Sequence, residues 1–349
     1  MTTKDKIATI RKEIEKIGTG YGMMTLTNLA VPTERTQAFG AINKVIEIAR
    51  AQGHKAFFNV GEFYGPNYAN LHLVRDFFKE YPNLREYVLI SCKGAIDNKK
   101  LTPKGKYEEV VASMETCIKE IGVFIDIFEP ARLDFNLCKE HDVYPKETLQ
   151  AVVDFVDAGK FGAISLSEVN GEQINAISKD FGDYLVCVEI ELSMFRDTIL
   201  RNGTAKACSD NALPIICYSP LGRGILTGQI TKNSDIPDGD FRKKLKYFSD
   251  EALAHNQEIV NFIKSEIVEK RPDEKRVTLA QVALAWVRKW SYSSEYPKSK
   301  FIPIPSGSSA TRVSENFEES KTQLSDFEFE NINEYVNSFS PIGGSYEFI

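Results

Sequence analysis

The chain has 349 residues, 42% of them hydrophobic, and a formal net charge of −6 at neutral pH. This length and apolar content suffice for a large core, and single α/β barrels of this size are common. The sequence has no basic block and no Lys/Arg-rich amphipathic stretch, which argues against nucleic-acid and membrane partners. No apolar run approaches the roughly 20 residues that a bilayer requires. Residues 1–16 are charged and lack the apolar core of a secretory signal, so we expect a cytoplasmic protein.

The cysteines and histidines do not indicate a metal site or a disulfide framework. None of the six cysteines forms a CxxC pair, and in a long chain such residues are expected to be reduced and buried. The four histidines show no metal-ligand spacing, so zinc catalysis is not expected. We therefore predict no bound metal.

Eight short hydrophobic runs are predicted to be β-strands. They are nearly continuous in hydrophobicity and rich in Val, Ile and Phe, which is typical of parallel strands buried on both faces. The predicted strands are Tyr21–Leu26, Phe57–Val60, Tyr87–Cys92, Phe124–Phe128, Ala163–Leu166, Leu185–Ile190, Pro214–Tyr218 and Phe301–Ile304.

Helical patterns fill the gaps between these runs. Apolar residues recur at helical spacing within 38–49, 110–121, 149–156 and 279–290. The first three stripes stop shortly before a glycine, as helices commonly do. We interpret all four as outer helices packed on a sheet rather than as binding features.

Strands that alternate with helices predict an α/β fold, a single (β/α)8 TIM barrel domain over residues 1–349. An open doubly wound sheet is the alternative, but it usually carries a GxGxxG fingerprint directly after its first strand. The glycines at 18, 20 and 22 precede or lie within the weak first strand and lack that spacing. The longest irregular stretches are 131–146, 222–246 and the tail 339–349. The first two would follow strands four and seven, on the C-terminal face where barrel active sites form.

Tyr64 and Lys93 are the most informative pair in the sequence. In each case a short hydrophobic run stops and a polar, reactive residue follows. A phenol beside an ammonium group is expected to have a lowered pKa, because the cation favours the phenolate. Such a phenol can give a proton to a carbonyl oxygen near neutral pH. The pair therefore indicates carbonyl chemistry.

Polar side chains follow nearly every predicted strand, where barrel enzymes build their active sites. Besides Tyr64 and Lys93, the set contains Asn59, Glu129, Arg132, Ser167, Glu168, Glu189, Tyr218, Ser219 and the segment 306–316. A series of this kind around the whole barrel is more informative than any single member.

These residues resemble the aldo-keto reductase superfamily over about residues 18–316. The family pattern of strand, Asp, short gap and Tyr-Gly is matched by FNVGEFYG at 58–65, and its strand-ending Lys by Lys93. Its YSPLGRG signature lies at 218–224. Its coenzyme phosphate signature lies at 302–316 and ends in IPSGSSATRVSEN.

The resemblance implies an oxidoreductase that reduces a carbonyl with NADPH. It makes Tyr64 the proton donor, tuned by Lys93, with Asn59 at the family's Asp position. Tyr218 would stack on the nicotinamide, Ser167 would hold its carboxamide, and the Arg312 guanidinium would face the 2′-phosphate, which favours NADPH over NADH. The implied coenzyme-binding residues are Ser167, Glu168, Glu189, Tyr218, Ser219, Leu221, Arg223, Ser308, Ser309, Arg312, Glu315 and Asn316.

Several positions depart from the family pattern. Asn59 in place of Asp would leave Lys93 without its salt-bridge partner, which predicts a lower pKa for Tyr64 or for Lys93 itself. Ala131 stands where the family has a His, which removes a donor to the substrate carbonyl and opens space. Glu168 and Glu189 replace the Asn and Gln that bind the carboxamide, and an ionised Glu cannot donate a hydrogen bond. Ser306 replaces a Lys that is frequent in the phosphate signature, which would weaken 2′-phosphate binding.

Asn59, Ala131 and Glu189 together resemble the pyridoxal reductases of fungi, which keep the Tyr–Lys pair and lack the Asp and the His. This resemblance implies reduction of pyridoxal to pyridoxine, a step of vitamin B6 metabolism. The candidate substrate contacts are Phe63, Phe128, Ala131 and Arg132. We infer a small-molecule aldehyde substrate and no obligatory protein partner.

Three alternatives remain at this point. The first is an aldehyde reductase of broad specificity. The second is a non-catalytic, NADPH-binding regulatory subunit, against which the retention of Tyr64 and Lys93 argues. The third is a Schiff-base lyase in which Lys93 is the nucleophile.

Overall fold

The computed structural model describes residues 2–98, 100–344 and 346–347, without the side chain of Ser320. Its described part contains eight strands in one sheet, each parallel to the next along the chain. The strands are β1 (Tyr21–Gly22), β2 (Ala56–Gly61), β3 (Val88–Gly94), β4 (Ile125–Pro130), β5 (Phe161–Ser167), β6 (Leu185–Glu191), β7 (Ile215–Tyr218) and β8 (Phe301–Pro303).

The eight predicted strands are confirmed, and the first is shorter than expected. The chain leaves β1 after Gly22, where the Met23 amide donates to the Asn59 carbonyl at 3.0 Å. The predicted strand continued to Leu26, but Met24–Thr27 instead forms one helical turn. Strands β2, β3 and β5 are buried at every residue, as the continuous hydrophobic runs predicted.

Thirteen α-helical segments surround the strands in the described part of the chain. They are α1 (Thr3–Lys16), α2 (Met24–Thr27), α3 (Arg35–Ala51), α4 (Ala69–Glu80), α5 (Tyr107–Ile121), α6 (Lys146–Asp157), α7 (Gly171–Phe181), α8 (Thr198–Arg201), α9 (Thr204–Asp210), α10 (Asp250–Ile263), α11 (Leu279–Lys289), α12 (Ala310–Asn316) and α13 (Asp326–Ser338). The four predicted helical stripes are confirmed in α3, α5, α6 and α11. Gly122 ends α5 with a φ of 64°, a left-handed conformation that favours glycine.

Helix α1 was missed in the sequence because that segment was judged by its charge. Its isoleucines at 7, 10 and 14 recur at helical spacing and are buried. Thr2 begins the helix with a capping box in which Asp5 is the partner residue. The helix packs against β5 and β6.

The sheet is strongly curved. Side chains of β2 and β3 both contact Glu189 on β6, although neither strand is a neighbour of β6 in the sheet. The Gly20 amide also donates to the Pro303 carbonyl at 3.0 Å, and the Gly22 amide to the Pro305 carbonyl at 3.1 Å. A Cβ on Gly22 would lie 2.7 Å from a backbone oxygen, so glycine is needed for this close approach of the first and last strand segments.

Two long irregular segments follow β4 and β7, as predicted. Part of the tail lies against the second segment and the helix that follows it. The Lys246 amide donates to the Glu347 carbonyl at 2.8 Å, and Asn256 Nδ2 on α10 donates to the Ile342 carbonyl at 3.1 Å. Residues 345, 348 and 349 of the predicted tail lie outside the described residues.

The described residues contain no helix long and apolar enough to cross a membrane, and no group of side chains suited to a metal ion. All six cysteines are unpaired; five are buried and Cys138 is half-buried.

Candidate active site

The candidate active site lies at the carboxyl ends of β2, β3, β4 and β6, where polar side chains converge in the interior. Asn59, Lys93, Glu129 and Glu189 are all buried, and so is Tyr64 in the turn after β2. The strand register places Lys93 beside Glu129, and the curvature of the sheet brings Glu189 to the same place. Residues from four strands therefore form one buried polar cluster.

Tyr64 is held by the turn that ends β2. Its amide donates to the Gly61 carbonyl at 3.2 Å, and its carbonyl accepts from Thr27 Oγ1 at 2.7 Å. Gly65 follows with a φ of 98°, and a Cβ there would lie 2.5 Å from the Thr27 backbone oxygen. The Tyr-Gly sequence is thus needed at this turn because only glycine fits directly after the tyrosine.

Asn59 connects the phenol to the carboxylate of Glu189. Its Nδ2 donates to Glu189 Oε2 at 2.6 Å, and its Oδ1 accepts from the Tyr64 hydroxyl at 3.2 Å. An amide has donors at one end and an acceptor at the other, so the two contacts are mutually consistent.

Lys93 has carboxylate partners, contrary to the prediction that Asn59 leaves it unpaired. Its Nζ lies 2.5 Å from Glu189 Oε1 and 3.4 Å from Glu129 Oε1. Burial alone would lower the pKa of Lys93, but the two carboxylates and Tyr64 outweigh it and raise the pKa well above its ordinary value. The prediction of a depressed lysine pKa is therefore wrong.

The phenol of Tyr64 also departs from the prediction. Burial raises its pKa, the Lys93 ammonium acts in the opposite direction, and Glu189 and Glu129 add to the increase. The expected lowering by Lys93 is present but smaller than the cost of burying a phenolate. Tyr64 is therefore protonated at neutral pH and carries the proton that an acid catalyst must give.

Glu129 was noted in the sequence without a role. Burial and the neighbouring Glu189 raise the pKa of Glu129 to about 8, against the lowering effect of Lys93. Burial also raises the pKa of Glu189, and Lys93 opposes that increase. With Glu129 largely protonated at neutral pH, Glu189 supplies the negative charge that balances Lys93.

A Glu129→Gln variant is expected to change how stability depends on pH. Between pH 4.5, the ordinary value, and about 8, the folded chain keeps a proton that the unfolded chain releases. The parent therefore loses unfolding free energy as pH rises through this window, by about 1.4 kcal/mol per pH unit. Gln cannot ionise, so the variant should lose less unfolding free energy than the parent over the same pH window. Urea denaturation across this window measures both slopes; parallel curves would contradict the raised pKa of Glu129.

The residues that were predicted from the sequence to contact the nicotinamide lie near this cluster. The Tyr218 ring centroid is 5.3 Å from Lys93 Nζ. The register pairs Ser167 with Glu189, and the Ser167 hydroxyl is buried without a hydrogen-bond partner among the described residues. Glu168 is part-exposed, and its Oε2 lies 4.0 Å from Arg132 Nη2.

Glu189 was predicted to contact the coenzyme carboxamide, and that role stays a prediction. Both of its oxygens contact the protein itself, one with Lys93 and the other with Asn59. The structure therefore places Glu189 in the Tyr64–Lys93 cluster, whereas Ser167 keeps a hydroxyl that is available for a bound group.

The residues predicted to bind the adenosine phosphate lie together at α12, after β8. Ser309 begins this helix by accepting from the Arg312 amide at 3.3 Å. Arg312 Nη1 donates to Glu315 Oε2 at 2.8 Å, and its Nη2 donates to Gln229 Oε1 at 3.2 Å. The Ser308 carbonyl accepts from Gln37 Nε2 at 2.8 Å. Gln37 and Gln229 were not identified from the sequence, which offers no motif for either.

Asn316 ends α12 with one satisfied and one unsatisfied side-chain atom. Its Nδ2 donates to the Ser306 carbonyl at 3.0 Å, whereas its Oδ1 is buried and has no partner among the described residues. A buried polar atom without a partner is rare in a native protein. Asn316 Oδ1 and the Ser167 hydroxyl are therefore available to a bound group.

The segment after β7 carries the remaining predicted coenzyme residues. Ser219 and Arg223 have φ values of 51° and 54°, and Leu221 accepts backbone hydrogen bonds from residues 224 and 226. The Arg223 guanidinium lies 4.6 Å from the ring centroid of Tyr346 in the tail. The ring of Tyr346 also lies 5.3 Å from the guanidinium of Arg132, so the described part of the tail joins the loops after β4 and β7.

The predicted substrate contacts divide into two groups. Phe128 is fully buried and stacks on Phe161 with ring centroids 5.0 Å apart, so its prediction as a substrate contact is wrong. Phe63 packs edge-on against Tyr64 at 4.9 Å, and Ala131 and Arg132 begin the loop after β4. These three lie beside the cluster, and their substrate roles stay predictions.

Comparison with known proteins identifies the family. Residues 19–337 match the profile described as the Aldo/keto reductase family. The chain belongs to the aldo/keto reductase family. It is accordingly an oxidoreductase that acts on carbonyl or alcohol groups.

Three relatives illustrate the similarity of this aldo/keto reductase to known proteins. A Saccharomyces cerevisiae protein named "Putative pyridoxal reductase" is 54% identical over 98% of this chain and 99% of its own. "Probable pyridoxal reductase 2" of Schizosaccharomyces pombe is 30% identical over 94% of this chain and 93% of its own. "Aldo-keto reductase yakc" of the same yeast, whose name carries the label NADP(+), is 28% identical over 94% of this chain and 90% of its own.

Proposed function

We propose that this aldo/keto reductase reduces an aldehyde with NADPH, and that its substrate is pyridoxal, which becomes pyridoxine. The observation that carries the proposal is the buried cluster in which Tyr64 and Lys93 are both retained and connected through Asn59 and Glu189. The names of the two yeast pyridoxal reductases support the choice of substrate.

The chemistry assigned to the protein's own residues is a proton transfer. NADPH, when bound, supplies the hydride that forms the new C–H bond of the alcohol. The Tyr64 hydroxyl gives its proton to the carbonyl oxygen, and the Lys93 ammonium stabilises the phenolate that is left behind. Glu189 keeps Lys93 charged and in place while the phenol cycles between its two states.

The residues present fit such a coenzyme. The buried, unpartnered oxygen atoms of Ser167 and Asn316 would form hydrogen bonds with the coenzyme. Tyr218 would cover one face of the nicotinamide. Ser308, Ser309 and Arg312 would contact the 2′-phosphate, with Glu315 and Asn316 at the adenine. Ser219, Leu221 and Arg223 would line the groove between the two ends of the coenzyme. The contact between Gln229 and Arg312 suggests that the loop after β7 covers this groove.

Arg312→Gln is expected to raise the KM for NADPH about 10-fold or more, because a charge-assisted contact to the 2′-phosphate is lost. The KM for NADH and the kcat should change little. Steady-state kinetics with both coenzymes measures this. Arg50→Gln, in the last turn of α3 and thus at the opposite end of the barrel, serves as a matched control. An equal loss with NADPH and NADH would contradict the 2′-phosphate role.

We also propose that the strands close into a single (β/α)8 barrel domain. The two backbone hydrogen bonds from Gly20 and Gly22 to residues 303 and 305 support closure. The contacts of side chains on β2 and β3 with Glu189 on β6 also support closure, because they need a strongly curved sheet. The buried, unpaired cysteines fit a reducing compartment, and we propose the cytoplasm.

The substrate region is proposed to lie between Phe63, Ala131 and Arg132, under the ring of Tyr346. The small Ala131 leaves room for a flat, substituted ring, and the guanidinium of Arg132 suits a phenolate or hydroxyl substituent. Glu168, 4.0 Å from Arg132, offers an acceptor to a pyridinium nitrogen or a hydroxyl group.

The decisive experiment follows the loss of reduced-nicotinamide absorbance with pyridoxal, using NADPH and NADH in parallel and a panel of simple aldehydes. Turnover that depends on NADPH and favours pyridoxal would support the whole proposal. Equal turnover of all aldehydes would replace pyridoxal with a broad substrate range. NADPH binding without turnover would indicate a regulatory subunit.

The Schiff-base alternative is disfavoured by the state of Lys93. A lysine nucleophile must be neutral, whereas the Glu189 carboxylate, 2.5 Å away, helps to raise the pKa of Lys93 and keep it charged. Borohydride treatment with pyridoxal should leave Lys93 unmodified, as peptide mass mapping would show.

A further inference from the structure

The carboxylate that balances Lys93 comes from a different strand than the sequence pattern implies. The neutral Asn59 on β2 cannot balance a charge. Glu189 on β6 does so instead, with its Oε1 2.5 Å from Lys93 Nζ. Both side chains are buried, with 1% of Glu189 and 9% of Lys93 exposed, so water does little to compensate either charge.

The same carboxylate determines how Asn59 is oriented. An ionised carboxylate only accepts hydrogen bonds, so the amide nitrogen of Asn59 must face Glu189 Oε2, which it does at 2.6 Å. The amide oxygen then faces the Tyr64 hydroxyl at 3.2 Å. One carboxylate therefore orients both neighbours of the phenol, Lys93 by charge and Asn59 by hydrogen bonding.

We infer that Glu189 is a positioning residue for Tyr64, and that Asn59 and Glu189 form a matched pair in which the counter-charge of Lys93 sits on β6 rather than on β2. This inference rests on the proposed role of Tyr64 as proton donor. It assigns Glu189 a function different from the coenzyme contact that the family resemblance implies.

The exchange of charge between positions 59 and 189 is geometrically possible. Lys93 Nζ and Asn59 Nδ2 contact the two oxygens of one carboxylate, so the amide of Asn59 lies next to the lysine. A carboxylate at position 59 would reach Lys93 if position 189 became neutral. If positions 59 and 189 both carried a carboxylate, two acceptor oxygens would face each other where Asn59 Nδ2 now donates to Glu189. Two like charges would then be buried side by side.

Other titratable groups surround the pair, and any pH profile must include them. Glu129 on β4 lies 3.4 Å from Lys93 and is largely protonated at neutral pH. Two further groups raise the pKa of Tyr64 or Glu189: Tyr346 in the tail and Glu168 after β5. Glu189 in turn raises the pKa of Cys187 on β6 and of Cys217 on β7.

The test is a charge exchange in the full-length protein. Glu189→Gln keeps the shape of the side chain but removes its charge. We expect kcat to fall about 10- to 100-fold and the alkaline limb of the pH profile of kcat to shift. The KM for NADPH should change less than twofold. Asn59→Asp alone should also lower kcat. The double variant Asn59→Asp/Glu189→Gln should recover most of the lost kcat, because the carboxylate is restored on the other side of Lys93.

A second readout does not depend on activity. Glu189→Gln leaves Lys93 without its main partner, so the melting temperature should fall by several degrees, and the double variant should regain it. If the melting temperature recovers but no variant, including the parent, reduces an aldehyde, the pairing stands and the proposed function fails.

Two results would overturn the inference. A Glu189→Gln variant with an unchanged kcat and pH profile but a raised KM for NADPH would make Glu189 a coenzyme ligand. A double variant no better than either single variant, in both kcat and melting temperature, would show that positions 59 and 189 are not matched.

Discussion

Replacing Tyr64 by phenylalanine is expected to lower kcat by about 10²–10⁴-fold, the usual contribution of a positioned general acid. The ring and its packing against Phe63 are retained, and only the hydroxyl that donates to Asn59 is lost. Coenzyme affinity should therefore change little. Single-turnover kinetics with a saturating coenzyme, together with coenzyme titration by fluorescence, would separate the two effects.

The matched control for this variant is Tyr107→Phe. Tyr107 also donates its hydroxyl to one acceptor, Asp154 Oδ2 at 2.7 Å, but it does so between α5 and α6 at the surface. The kcat of the Tyr107→Phe variant should equal that of the parent. If Tyr64→Phe turned over as fast as the parent, the phenol would not be the proton donor, and another acid would have to be sought.

Replacing Lys93 by methionine is expected to reduce both stability and turnover. The change leaves the buried Glu189 without its cation, and breaking a buried ion pair from one side typically costs about 3–5 kcal/mol of unfolding free energy. Turnover should fall because the phenolate of Tyr64 loses the ammonium that stabilises it. Urea denaturation and kcat are the two measurements.

The double variant Lys93→Met/Glu189→Gln separates these two losses. With both partners neutral, no buried charge remains unpaired, and the unfolding free energy should return towards that of the parent. Turnover should stay low, because no cation is restored near Tyr64. Recovery of turnover in the double variant would mean that Lys93 acts on the reaction only through the stability of the fold.

The pairing of Lys93 explains how this chain tolerates Asn at position 59. A buried ammonium group without a partner would lose its proton or destabilise the fold. Glu189 lies 96 residues after Lys93 in the chain. It removes that difficulty because it contacts both Lys93 and Asn59. The departures from the family pattern at positions 59 and 189 are thus one compensated change rather than two separate losses, which is consistent with a working catalyst.

Local sequence determined most of the fold. Strands buried on both faces need continuous apolar runs, and outer helices need apolar stripes, so both patterns are visible residue by residue. Helix α1 was missed although Ile7, Ile10 and Ile14 carry the same signal, because the charges between them masked it. The sequence showed Gly65 only as part of the family's Tyr-Gly pattern, and the structure gives the reason for it, a positive φ and a close backbone contact.

Tertiary structure alone decided which charges meet. The sequence by itself placed Tyr64 and Lys93 at strand ends and identified the family, because these depend on local patterns and ordered motifs. It did not show that Glu189 binds Lys93, that burial raises the pKa of Glu129 or that Phe128 lies in the core. Those facts depend on the curvature of the sheet, which brings β3 and β6 together, and on burial, which sets the protonation state of each carboxyl group.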